Sequence, residues 1–541
     1  MFVQATTSGR GEKKYVSYLV RESFRTPEGP RSRTICNITG LPPEVRVLIT
    51  GALRGKTFVP AQELALENAL SYGGLAVLRD AWQRLGLASV LEGIPAERDR
   101  QLVQAMIFGR LLFPCAKLAL AQQAEGTLLA QACGLPAAET FDEDDLYAAM
   151  DQFNGRWAPM EKALYRKAFP EQVRLVLYDL TSVYFEGKGP KDLGRYGHSR
   201  DHRPDRRQII LAVATDLEGT PIHLEVLHGN RADNSTLIGL LKTMQRRFGI
   251  KEAMFVFDGG MSSRLNLEAL TAASLRYVTR LSSASLTALL ESLPAESQPE
   301  LGDRKALIEI EHGGKRHVIA GGPWRQQRDQ ERRQARVAKA EAELKRLAAV
   351  PRQKVDAQKL ASQVGRMLER KMAHKYFSYR IQENGQLHWE RKEEVFAQEE
   401  RLDGWYLLQT NASADQAAKE EVLNHYKGLL NIEEAFGELK SYLEVRPVFH
   451  RRPDRVRNHV RICFLAYWLS ALLGREWRAA QEPGEVPRIL RELQTIRVGQ
   501  VSAGGKRVAT LLTEIPPRLN AQLIKLDLLK LFAQPPAWAA L

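Results

Sequence analysis

Asp179 interrupts the apolar run LVLYDLTSVYF, residues 175–185, which reads as a strand buried on both faces. A lone carboxylate there costs several kcal/mol unless something pairs with it, and a bound cation would offset that cost. A second acid, Asp258, follows the apolar residues Met254 to Phe257 in FVFDGG. A third comes from HYKGLLNIEEAFGELKSYLEVRP, where Leu429, Ile432, Phe436, Leu439 and Leu443 recur at helical spacing. On that helix Tyr426, Glu433 and Lys440 are spaced by sevens, one line up its side. Glu433 and Lys440 flank the apolar stripe, where a side chain reaches a site while its stem is packed. Glu434 is the rival acid, but it shares no line with Tyr426 and Lys440. Carboxylates at adjacent strand positions can share two divalent cations, about 3.5–4 Å apart, that hold the attacking and leaving oxygens of a phosphodiester. Magnesium takes oxygen ligands and keeps several waters, so two or three carboxylates suffice. Singly, each acid has an ordinary reading as a turn cap or a surface residue; the weight lies in their order on one chain.

The elements that must position these acids follow from periodicity. YVSYLVRESF and RSRTICNI flank the turn TPEGP as a hairpin. QLVQAMIFGRLLF and LYAAMDQF have helical spacing, broken at FPC, CGLP and FNG. From 174 to 283 the rhythm changes. RLVLYDLTSVYF, QIILAVATD and PIHLEVLHG are strands, TLIGLLKTMQRRFG is a helix ending at Gly249, AMFVFD is a strand, RLNLEALTAA a helix and RYVTRL a strand. The expected fold is an α/β core of ribonuclease-H-like order, β-β-β-α-β-α-β-α, with an inserted partly β domain and a helical N-terminal region. In that order the fourth strand lies beside the first, which brings Asp258 to Asp179. The expected divisions are a hairpin arm at 1–58, a helical region at 59–170, the core at 171–283 and 403–475, an insertion at 284–402 and a tail at 476–541. The insertion carries the charged helix RQQRDQERRQARVAKAEAELKRL, whose plain reading is a solvated or coiled-coil-like helix and whose other reading is contact with nucleic acid.

The net charge of +14 favours a polyanionic partner, nucleic acid or an anionic membrane. The apolar stretch ICFLAYWLSALLG is shorter than the roughly 20 residues that span a bilayer, so it reads as a buried helix and the membrane is set aside. Cys36, Cys115, Cys133 and Cys463 form no CxxC pair and read as reduced residues. His198, His202 and His228 are irregularly spaced among turn residues, a poor zinc set. Arg203, Arg206 and Arg207 follow the first core strand; Arg446, Arg451, Arg452, Arg455, Arg457 and Arg461 follow the Glu433 helix. Arginine pairs bidentately with phosphate, and such contacts position DNA without reading its sequence.

Taken in order, YDLTSVYFEG, HGNRADNSTL, FVFDGG and Y-x2-L-x3-E-x6-K resemble the DDE transposases of bacterial insertion sequences. The nearest group is the insertion-sequence-four-like one, whose third-acid helix carries a Tyr, Arg, Glu, Lys signature. The resemblance spans roughly residues 15–475. It implies a triad of Asp179, Asp258 and Glu433 binding two Mg²⁺ ions, with Mn²⁺ able to substitute. It implies cleavage at element ends and transfer of the freed 3′-hydroxyl into target DNA. Tyr426 and Lys440 would hold a nearby phosphate, with Arg203, Arg206, Arg207 and Arg446 as further DNA contacts. The implied partners are terminal inverted repeats, with the helical region 59–170 expected to bind the element's ends, and target DNA, bound by a dimer, in the bacterial cytoplasm at the nucleoid. The signature Arg falls on Leu429, and DGGMSSRLNLEAL lacks the Trp on which hairpin-forming relatives stack a flipped base. Two other readings share these residues: a ribonuclease-H-like nuclease that does not join ends, and a non-catalytic DNA-binding protein derived from a transposase.

Overall fold

The structure, a computed structural model, describes residues 1–9, 14–56, 58–136, 139–294, 296, 298–299, 301, 305–349, 356–382, 384–482 and 485–539. Its first sheet is antiparallel: β1 (Phe2–Ser8), β2 (Tyr15–Thr26) and β3 (Gly29–Asn37). The expected hairpin is β2–β3, and β1 adds a strand to it. Helix α1 (Pro43–Leu53) and β4 (Leu64–Ser71) follow. Next come α2 (Gly73–Arg84), α3 (Glu97–Leu112), α4 (Lys117–Glu125), α5 (Leu129–Ala132), α6 (Glu143–Asp151) and α7 (Trp157–Ala168). The start of α6 is set locally, because Asp142 and Asp145 form a reciprocal capping box.

The central region has three strands, a helix, a strand, a helix and a strand: β5 (Leu175–Tyr184), β6 (Gln208–Thr215), β7 (Pro221–His228), α8 (Leu237–Thr243), β8 (Met254–Phe257), α9 (Arg264–Ala272) and β9 (Arg276–Arg280). There follow α10 (Ser283–Ser292), β10 (Leu307–His312), β11 (Lys315–Gly321), α11 (Pro323–Ala348), α12 (Ala357–Arg370), β12 (Phe377–Ile381), β13 (Leu387–Arg391), α13 (Glu393–Leu402) and β14 (Trp405–Thr410). Eight strands make one mixed sheet in the order β10-β11-β14-β9-β8-β5-β6-β7. Two strands of the stretch read as an insertion, β10 and β11, therefore extend the central sheet through β14. The rest of that stretch has its own small core, in which Leu344 of α11 packs with Val364, Tyr376 and Leu387. The charged helix α11 is thus solvated on one side only.

The chain continues with α14 (Lys419–Lys427), α15 (Leu429–Gly437), a π-helical turn at Glu438–Tyr442 and α16 (Pro453–Ala479). Then come α17 (Val486–Leu493), β15 (Arg497–Ala503), β16 (Lys506–Leu512) and α18 (Pro517–Lys525). The single helical stretch expected at 416–475 is therefore several pieces. The sequence reading of 59–170 as purely helical also overlooked β4, which pairs with β15. LALENALS has too little alternation to mark a strand; its partner lies far along the chain. As expected, ICFLAYWLSALLG is a buried segment, in the middle of α16. Among the described residues no single helix is long and apolar enough to cross a membrane.

Candidate active site

Strand alternation decides where the acids face. Val176, Tyr178, Leu180 and Phe257 belong to the core on the α8 and α9 side of the sheet. Leu177, Val183 and Val256 belong to the other core, together with Ile432, Ala435 and Phe436 of α15. Asp179 has the parity of Leu177 and Asp258 that of Val256, so both fall on the face that carries the Glu433 helix. The register brings them together: β5 and β8 are parallel, with Tyr178 opposite Phe257, and each aspartate is the next residue. Gly259 lets the chain turn there, since a Cβ would stand 2.5 Å from the Arg280 carbonyl oxygen.

Burial raises Asp179 to a pKa of about 7; the Leu180 backbone and Arg200 act against that rise, and Asp258 and Asp233 add to it. Asp258 is more open, with its Oδ1 3.8 Å from Arg280 Nε. Asp233 accepts a hydrogen bond from Arg200 Nη2 at 2.7 Å, and the Arg200 backbone N–H donates to Ser182 Oγ at 2.8 Å. A carboxylate group of Asp179, Asp258 and Asp233 thus faces two arginines, Arg200 and Arg280. Sequence reasoning missed Arg200, Arg280 and Asp233. The quoted stretch HGNRADNSTL contained Asp233, but nothing in its local pattern showed that it returns to β5.

Helix α15 packs across β5 and β6. The backbone passes from α14 to α15 through Gly428 in right-handed helical geometry, so the seven-residue line from Tyr426 to Glu433 survives. A Cβ at Gly428 would lie 2.5 Å from Leu217 Cδ1, so glycine permits this close approach to the sheet. Tyr426 is driven up to about 12 by burial, and Arg280 and Asp258 both act on its hydroxyl. Glu433 is exposed beside the fully buried Ile432. Glu434 lines a different cavity, of about 780 Å³, with Asn431, Glu438 and Tyr467.

Lys440 lies in the π-helical turn, so its direction does not follow from 100° steps along an α-helix. Its ammonium is 2.8 Å from Asp201 Oδ1, which also takes Arg446 Nη1 at 2.8 Å. The ordinary alternative, a surface lysine paired with Glu433 or Glu444, is not what the structure has: the partner is Asp201, 3% exposed. Burial lowers the Lys440 pKa against the pull of Asp201. Asp201→Asn should remove the shared counter-charge and cost about 2–3 kcal/mol, below the usual range for a fully buried pair because Arg446 stays 28% exposed. Urea unfolding of the variant checks this; an unchanged midpoint would show that the two cations need no anchor.

The arginines divide into two sets. Arg203 is paired with Asp205 and stacks 5.2 Å from the Tyr184 ring; Arg206 reaches Glu186 and Asp205; Arg207 lies 5.8 Å from the Tyr196 ring. These stay on the loop after β5, partly open to solvent. Of the downstream cluster, Arg455 and Arg452 pair with Asp151, and Arg461 packs on Trp157 with its pKa lowered to about 10 by burial. Those three join α16 to the helical bundle.

The family model described as Transposase DDE domain matches residues 172–469. This chain belongs to that transposase family. The match contains Asp179, Asp233, Asp258 and Glu433, and the strands β10 and β11 with their helical extension. No curated protein matches the sequence. Among solved structures, a piggyBac transposase synaptic complex with hairpin DNA is similar at 8% identity and TM-score 0.40, covering 73% of this chain and 70% of that one. A Mos1 transposase paired-end complex with left transposon end is similar at 17% identity and TM-score 0.15, covering 34% and 59%. The family match, not these likenesses, carries the functional argument.

A divalent cation is what a transposase of this family uses, and the donors here fit it in kind. They are all carboxylate oxygens, and Asp179 is a buried acid whose charge a cation would stabilise. The fit is one of donor chemistry: among the described residues no three His, Cys, Asp or Glu side chains are grouped closely enough to hold a metal ion. The same observation leaves His198, His202 and His228 without a site.

Proposed function

We propose that this transposase cleaves DNA at the ends of its own element and joins the freed 3′-hydroxyl to target DNA, on a core of ribonuclease-H-like order. The observation that carries the reading is the register of β5 and β8, which sets Asp179 beside Asp258 on the face covered by the Glu433 helix. Asp179, Asp258 and Glu433 would hold Mg²⁺ or Mn²⁺. Bound there, two such ions supply activation of the attacking oxygen and stabilisation of the leaving one. The chain's own groups do the rest. Arg200 and Arg280 balance the acids between turnovers. Tyr426, acted on by Asp258, and Lys440, near the Arg200 that acts on Asp179, would steady a phosphate at the acids. Arg203, Arg206 and Arg207 lie on the open loop after β5, placed to contact the backbone of a bound duplex. Cutting two ends together calls for a dimer on DNA.

The test is cleavage and strand transfer by the purified protein on a duplex carrying the inverted repeats that flank its gene. Metal-dependent nicking followed by joining of pre-cut ends supports the proposal. Nicking without joining would leave a nuclease, and neither would leave a DNA-binding protein.

Affinity for DNA should fall steeply with salt. Each phosphate neutralised contributes about −0.9 to the log–log slope, and Arg203, Arg206 and Arg207 changed together to Ala should flatten it on every sequence alike. A slope near zero between low and physiological salt would remove the electrostatic account. Lys440→Ala should slow cleavage by about tenfold, the loss of one charge-assisted contact, without altering the Mg²⁺ concentration required. A changed metal requirement would mean that Lys440 acts through the acids instead.

A further inference from the structure

A second cluster of charge lies away from the acids, where α3, α4, α6 and α16 meet the segment after the π-helical turn. A cavity of about 140 Å³ there is lined by Arg110, Lys117, Arg446, His450 and His459, with Glu444 as its carboxylate. Arg110 is 7% exposed and Lys117 5% exposed. Among the described residues neither has a carboxylate within 4 Å. Burying two cations without a counter-ion costs several kcal/mol for each.

Their donors are underused. His459 Nε2 is 3.2 Å from the Val445 carbonyl oxygen, to which it donates, leaving Nδ1 to accept from Lys117 Nζ at 3.2 Å. That is one acceptor for three ammonium protons among the described residues. Arg110 Nη1 makes two long bonds, 3.3 Å and 3.4 Å, to the Leu443 and Glu444 carbonyls. Its remaining N–H groups have no acceptor among the described residues. The rim residues Glu444 and Phe449 are exposed, so the cavity is reachable.

We propose that this cavity is a phosphate-binding site, with Lys117 and Arg110 as its base and Arg446 at its edge. The volume is below the roughly 300–1,000 Å³ of pockets for larger ligands, so it suits one tetrahedral anion rather than a whole nucleotide. Arginine beside lysine supplies a fork of donors and a point charge, the pairing that phosphate takes. Arg446 links the cavity to the acidic site, because it also pairs with Asp201, the anchor of Lys440, and Arg200 acts on both Lys440 and Asp179. A DNA strand crossing that line would place a backbone phosphate in the cavity. The DNA origin rests on the functional reading above; the anion site does not.

Binding should consume protons. Burial lowers Lys117 to about 7 and His450 to about 3, and it holds His459 well below its ordinary value, with the neighbouring cations adding to each shift. The charged groups facing Lys117 are Arg110 from α3 and Cys463 and His459 from α16, with Cys115 beside it in sequence. His450 faces Lys117 from α4, Arg110 from α3, Arg455 and His459 from α16 and Tyr147 from α6, and so is itself among the groups facing Lys117. An anion in the cavity favours the ammonium form, so affinity should weaken as pH rises above about 7.

The experiment is calorimetric titration of the full chain with inorganic sulfate, a tetrahedral dianion that does not titrate in this range, and with inorganic phosphate. Saturable binding is expected, with proton uptake revealed by two buffers of different ionisation heat. Lys117→Met should weaken it at least tenfold. Arg446→Gln, at a partly exposed residue, should weaken it several-fold and serves if Lys117→Met does not fold. Absence of saturable binding overturns the site, as does unchanged affinity in the variants that fold. A short single-stranded oligonucleotide should displace sulfate; if it does not, the DNA origin is overturned and a free anion is the ligand. A protein that binds sulfate but cuts no DNA keeps the pocket and loses the functional reading, and the reverse outcome removes the pocket alone.

Discussion

Asp179→Asn and Asp258→Asn should each lower metal-dependent cleavage by about a thousandfold or more while the fold persists. Metal stabilisation of charge in such a displacement is worth several kcal/mol, and each 1.36 kcal/mol is tenfold in rate. An amide keeps the shape of the side chain and loses the charge that holds the cation. The two variants should differ in stability. Asp179 has a folded pKa of about 7 against an ordinary 3.8. The folded state therefore binds more protons than the unfolded state between those values, so stability falls as pH rises from about 4 to about 7. In metal-free protein Asp179→Asn should abolish that decline and raise the Tm at pH 7. Asp258→Asn should leave most of that decline in place, because the burial of Asp179 is its main cause and the Asp258 charge only adds to it. Normal cleavage by either variant in Mg²⁺ would take that residue out of the site. A Tm for Asp179→Asn below that of the parent at pH 7 would show that the carboxylate is satisfied by something other than a cation.

Glu433→Gln should be as inactive as the aspartate variants, whereas Glu434→Gln should cut and join at near the parental rate. The two are neighbours in sequence and differ by about 100° around the helix. Glu433 continues the line from Tyr426, whose hydroxyl is acted on by Asp258. Glu434 instead lines the cavity with Asn431, Glu438 and Tyr467. Cleavage and strand transfer on pre-cut ends, measured for both variants, decide between them. An active Glu433→Gln with an inactive Glu434→Gln would reverse the assignment of the third acid. It would also require the helix to rotate on the sheet when DNA binds.

Much of this was legible in the residues themselves. The apolar run around Asp179, the short run before Asp258 and the three- and four-residue spacing around Glu433 are local signals; the two strands formed where they were expected, and the Glu433 helix formed but ended at Gly437, before the last residues of its apolar spacing. Strand alternation, read together with the order of the elements, was enough to seat two aspartates on adjacent strands. Sequence could go no further because its signals are short-ranged. β4 was missed because its stabilising partner, β15, is more than four hundred residues away, and the pairing rather than the local pattern makes it a strand. The partner of Lys440 was missed for a related reason. Asp201 sits in a polar loop with no periodicity, and only the folding of that loop over the end of α15 brings its carboxylate to the ammonium. The π-helical turn then redirected Lys440, a change in backbone hydrogen bonding that side-chain spacing does not announce. Arg200, Arg280 and Asp233 entered the site in the same way. The sequence by itself determined which acids lie on which elements, and in what order. The tertiary structure alone decided which charges oppose them, because Coulombic pairing depends on distances that loops set and periodicity does not encode.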